Sequence, residues 1–88
     1  MAQNYPNPFR NCTNFTFQVG KQSYVRIEIF NIKGQLISTL VNGLQNEGEH
    51  SITWDGHGID NREMPSGVYY CRATCGNITT IKKFIKMQ

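Results

Sequence analysis

Apolar residues in this chain recur at every second position within short runs, and no stretch holds them at helical spacing for long. Phe15, Phe17 and Val19 share one face of residues 13–19, and Val25, Ile27 and Ile29 share one face of residues 24–31. Successive side chains of a strand point to opposite faces, so this period predicts strands buried on one side. Ile32-Lys33-Gly34 follows, with a glycine suited to the positive φ of a tight reversal, and QLISTLV (residues 35–41) supplies the returning strand of a hairpin. Residues 42–48 are polar and read as a loop, after which residues 49–54 alternate again, with Trp54 as a core anchor on the side of His50 and Ile52. Residues 55–67 (DGHGIDNREMPSG) form a long loop; VYYCRAT then points Tyr69, Cys71 and Ala73 inward, and a turn at 75–77 leads into residues 78–85. QLISTLVNGL is the best helical candidate, but Ile37, Ser38 and Thr39 are β-favouring or neutral and Gly43 ends the run. Six to seven short strands at intervals of about ten residues predict an all-β fold, an antiparallel β-sandwich.

Eighty-eight residues, 39% hydrophobic and 17% charged, suit one domain, 1–88, with a modest core. No apolar run approaches the roughly 20 residues needed to span a bilayer, and MAQNYPNPF lacks the charged and apolar regions of a secretory signal. The chain is therefore expected to be cytoplasmic, or a fragment whose export signal lies elsewhere. Its net charge of +3 is spread along the sequence except at Lys82, Lys83 and Lys86, without the dense patch and stacking aromatics that nucleic acid demands. On a terminal strand that also carries Ile81, Phe84 and Ile85, those lysines read equally well as charges that discourage edge-to-edge pairing.

The residues offer no convincing active site, so the chain is expected not to be an enzyme. His57 with Asp55 and Asp60 suggests a metal or acid–base cluster, but Asp-Gly and Asp-Asn pairs are what turns use for their own backbone. Asp55, Asp60, Asn61 and Glu63 lack the regular spacing of a calcium loop. His50 falls on an inward strand face and reads as structural. Ser66 lacks a G-x-S-x-G context, and Gly56 and Gly58 lead into no helix. Of three cysteines, Cys71 sits in a strand as a buried thiol, and a Cys12–Cys75 bridge stays open in an oxidising compartment. No metal, cofactor or small-molecule substrate is expected. Tyr69, two residues before Cys71, matches the Y-x-C of immunoglobulin domains, where the tyrosine hydroxyl closes a corner, and makes the sandwich immunoglobulin-like.

QNYPNPF at the start, IFNIKGQLISTLVNG, GEHSITWDG and PSGVYYCRATCGNITTIKKFIK occur in an order and spacing that resembles the type A C-terminal sorting domain of the type IX secretion system. The flagellar hook-capping immunoglobulin-like domain is a relative of that family. The matching structural positions are Asn4, Tyr5, Pro6, Asn7, Pro8 and Phe9, then Gly34, then Trp54, Asp55 and Gly56, then Ser66, Gly67 and Tyr69. Asn61 stands where the family often has glycine, and Asn31 where it has aspartate; both exchanges keep a residue suited to turns.

The resemblance implies a non-catalytic targeting module at the end of a larger exported protein. Its partners would be an N-terminal cargo domain, the outer-membrane translocon and a sortase that removes the module, and its route would run through the periplasm to the cell surface or medium. It further implies that recognition leans on the last strand: Thr80, Ile81, Lys82, Lys83, Phe84, Ile85 and Lys86. Strand addition is the physical means by which such a strand would be read. Residues 3–9 are expected to form a strap marking the upstream boundary, extended by Pro6 and Pro8, with Tyr5 and Phe9 packed inward. Two other functions compete: a structural immunoglobulin-like spacer, against which the N-Y-P-N-P-F opening speaks, and a carbohydrate-binding module using outward Tyr24, Phe30 and Tyr70, whose sequence positions do not predict a shared platform.

Overall fold

The computed structural model describes residues 3–88, which form seven strands and no helix. In chain order they are β1 (Gln3–Tyr5), β2 (Thr13–Val19), β3 (Ser23–Asn31), β4 (Leu36–Gln45), β5 (Gly48–Trp54), β6 (Gly67–Cys75) and β7 (Ile78–Lys86). They build an antiparallel immunoglobulin-like sandwich, with one sheet ordered β1-β2-β5 and the other β4-β3-β6-β7. The core lies between the sheets, where Phe15, Phe17 and Val19 of β2 face Val25, Ile27 and Ile29 of β3. Trp54, Tyr69, Cys71 and Phe84 extend it, and each large apolar side chain taken from water there contributes about 1.5–3 kcal/mol.

The hairpin from β3 to β4 turns where its sequence says it should. Gly34 has φ of 82°, and the Asn31 side chain caps the reversal by accepting hydrogen bonds from the amides of Lys33 and Gln35, each at 2.9 Å. Asn61 likewise sits in the left-handed region, at φ 62°. Tyr69 closes its corner by donating its hydroxyl to the Pro65 carbonyl at 2.6 Å.

Two expectations need correction, and one pairing that the sequence left open is closed. Residues 42–48 do not form a loop: β4 continues to Gln45 because Asn42, Gly43 and Leu44 pair with Arg26, Val25 and Tyr24, and the Tyr24 hydroxyl bonds the Asn42 side chain on the solvent face. Tyr5 does not pack inward but is 80% exposed, since Asn4 takes the buried position of β1 and its neighbour must face out. No bridge joins Cys12 to Cys75; both are free. Cys12 precedes the β2 residue paired with Trp54, whereas Cys75 pairs with Val25 near the other end of the sheets. A strand of this length separates the two ends by about 20 Å, far beyond the ~7 Å a disulfide tolerates.

Candidate recognition site on the last strand

β7 is an edge strand, paired with β6 on one side. Its side chains alternate: Thr80, Lys82, Phe84 and Lys86 take the inner phase, and Thr79, Ile81, Lys83 and Ile85 the outer. The seven residues expected to carry recognition are therefore divided between two faces. Phe84 is core, and Lys86 is only 4% exposed, its stem laid against Gly56 and its ammonium 3.6 Å from Glu63. Ile81 is 65% exposed, Lys83 and Ile85 face solvent, and Lys82 and Thr80 are half-buried.

The backbone of β7 alternates too. In an antiparallel pair the N–H and C=O of one residue face the partner and those of the next face away. Ile85 faces away from β6: its amide donates to the Asn7 side-chain oxygen and its carbonyl accepts from the Phe9 amide, both at 3.1 Å. The Met87 amide donates to the Phe9 carbonyl at 2.6 Å, so the N-terminal strap runs parallel to the end of β7 and covers that length of edge. Thr79, Ile81 and Lys83 share the phase of Ile85, so their N–H and C=O groups also point away from β6, and no strand covers them among the described residues.

The strap, the W-D-G turn, the S-G-V-Y strand and β7 meet at one end of the sandwich. Phe9 (1% exposed) lies 5.7 Å from Trp54, edge to face, and 5.9 Å from Phe84; Trp54 lies 5.2 Å from Tyr69 and 5.7 Å from Phe84. The Trp54 indole donates to the His57 carbonyl at 2.9 Å. Asn4 donates to the Thr13 hydroxyl at 3.3 Å, which in turn donates to the Pro6 carbonyl at 2.7 Å. Tyr5, Pro6, Asn7 and Pro8 are exposed, as are Ser66, just ahead of β6, and Gly67, its first residue, and Gly34 lies apart in its hairpin. The contact of Asn7 with β7 has no signal in the spacing of its motif.

The acidic loop builds turns. Asp55 accepts from the His57 amide at 3.0 Å and Asp60 from the Arg62 amide at 3.1 Å. His50 stacks on Phe17, ring centres 5.2 Å apart, and donates through Nε2 to the Asn46 carbonyl. Burial pushes the Cys71 thiol up to about 12, with Lys82 acting weakly in the other direction. On the outer sheet face Phe30 and Tyr70 are direct neighbours in register, but the Arg72 guanidinium covers the Phe30 ring at 4.6 Å while bonding Glu28 through two nitrogens. Tyr24, six residues along β3, stands about 20 Å from Phe30, so the three rings share no platform.

No curated protein sequence matches the chain. Among solved structures, PorZ of Porphyromonas gingivalis, an essential bacterial surface component of the type-IX secretion system, superposes with a TM-score of 0.71 at 19% identity. The match covers 99% of this chain and 11% of PorZ, so this chain spans a small part of that protein's length. FlgD from P. aeruginosa superposes with a TM-score of 0.67 at 22% identity, covering 85% of this chain and 61% of FlgD. Identities this low speak to the fold. Family membership rests on the sequence pattern itself: over residues 3–87 it matches the secretion system C-terminal sorting domain, and the chain belongs to that family.

Proposed function

We propose that this chain, as a single domain over residues 1–88, carries an upstream cargo protein through the outer-membrane translocon of a type IX system, and that β7 is the element the machinery reads. A sorting role belongs to the family. The observation that supports β7 is its open edge: Thr79, Ile81 and Lys83 offer backbone donors and acceptors that no strand among the described residues receives. Such an edge accepts an added strand, with backbone bonds supplying affinity and alternate side chains specificity. On this reading the cargo crosses the periplasm before reaching the surface or medium, and a sortase cuts ahead of Gln3. The module itself performs no chemistry.

The test is a periplasmic reporter fused ahead of the chain in a host carrying the system. Deleting residues 80–88 would also remove Phe84 from the core, so Ile81→Pro is the cleaner variant. It removes an N–H that points away from β6 and leaves the ladder intact. The reporter is expected to stay in the periplasm; continued arrival at the surface would sink the proposal. A structural spacer, the alternative this fold also suits, needs no free edge and is insensitive to this substitution.

A further inference from the structure

The open edge of β7 carries a chemistry of its own, whose biological meaning rests on the sorting role proposed for this strand. Four ion pairs occur among the described residues, and they involve Arg62, Arg72, Lys86 and His57. None takes up Lys82 or Lys83, which are adjacent on β7 and therefore lie on its opposite faces. Lys82 occupies the inner phase of an edge strand, half-buried, directly across from buried Cys71. Beside it, an apolar crevice of about 230 Å³ opens between the sheets, lined by Phe17, Val25, Ile27, Ala73, Cys75 and Thr80 among others. The strap blocks the edge from Ile85 onward, which leaves residues 79–83, about 17 Å of strand, for a partner.

We infer that this edge receives an extended, acidic segment of another protein. Its backbone pairs with Thr79, Ile81 and Lys83. One carboxylate meets Lys82 on the inner face and a neighbouring one meets Lys83 on the outer face. An apolar side chain, two positions along from the inner carboxylate, caps the crevice beside Thr80. Direct cross-strand pairs of opposite charge stabilise a sheet and like pairs destabilise it, so the two lysines select against basic strands as well as for acidic ones.

Two blocked seven-residue peptides test this against the full 88-residue chain. Both are built of valine and threonine, one with two adjacent central glutamates and the other with two lysines. Binding is followed by amide chemical shifts and by hydrogen exchange at Thr79, Ile81 and Lys83. The glutamate peptide is expected to bind about tenfold tighter than the lysine peptide and to slow exchange at those three amides. The double variant Lys82→Glu, Lys83→Glu is expected to reverse the preference. Equal affinities, protection at other residues, or protection explained by β7-to-β7 pairing of two copies of this chain would each overturn the inference. In the reporter assay the same double variant separates the two readings. If Ile81→Pro abolishes export while the charge reversal leaves it intact, the sorting role of β7 holds and the acidic partner is wrong; if neither matters, the sorting reading fails first.

Discussion

The Asn7 side-chain oxygen accepts the amide proton of Ile85 at 3.1 Å, across 78 residues of sequence. This bond, with the two flanking Phe9 bonds, is what shuts the end of the β7 edge. Replacing Asn7 by alanine should cost about 1 kcal/mol in chemical denaturation and speed exchange of the Ile85 amide, while the Lys83 amide, already free, stays unchanged. A slow Ile85 amide in the variant would show that the strap does not shield this edge.

The two faces of β7 should respond differently to truncation. Phe84 packs against Phe9, Phe15, Trp54 and Tyr69, so Phe84→Ala should destabilise by about 3–5 kcal/mol. Ile81→Ser, on the outer face, should stay within about 0.5 kcal/mol of the parent. Urea midpoints decide, and similar losses from both would contradict the assigned phase.

Gly56 is held at φ 80°, and a Cβ there would stand 2.8 Å from the Lys86 Cε. Gly56→Ala should therefore cost about 1–3 kcal/mol. Measured in a Lys86→Ala background, the penalty should shrink, because the clash is gone, without vanishing, because the backbone strain persists. Full additivity of the two substitutions would refute the contact.

Burial raises both the Cys71 thiol, from its ordinary 9.0 to about 12, and the Tyr69 hydroxyl. Each group binds its proton more tightly folded than unfolded. Their contribution to stability is therefore complete below about pH 9 and declines as pH rises towards 12. Urea midpoints should fall across that window, and Cys71→Ala should flatten the fall. At pH 8, Cys12 should react with a thiol reagent at once, and Cys71 only on unfolding; early labelling of Cys71 would count against its buried position.

The sandwich was legible where its strands alternate. β2 shows the pattern in its simplest form, with Phe15, Phe17 and Val19 all buried between exposed neighbours. Turn chemistry was equally readable at Asn31, Gly34 and Asn61, where a local backbone need selects the residue. What escaped reading depends on the pairing partner. Asn42 and Gly43 looked like loop residues, and belong to a strand because β3 continues opposite them. Lys86 looked like a surface charge, and is buried because glycine at position 56 makes room for its stem. For the candidate site, the edge position of β7 followed from its being the last hairpin strand. Which of its backbone groups are free depended on the strap, and no local pattern encodes a contact between Asn7 and Ile85.

The stitching of the strap to the end of β7 also governs how the chain would yield to traction. A motor or processive protease drawing on the segment after Lys86 meets Phe9 hydrogen bonds within a residue, and behind them the ring of Phe84 in the aromatic cluster. One drawing on the strap meets the same knot from the other side. A pull from the C-terminal side finds no soft end and must break the core at the outset, whereas one from the N-terminal side first peels the three residues of β1 from β2 before it reaches the knot. A tag built this way is suited to be handled as a folded object.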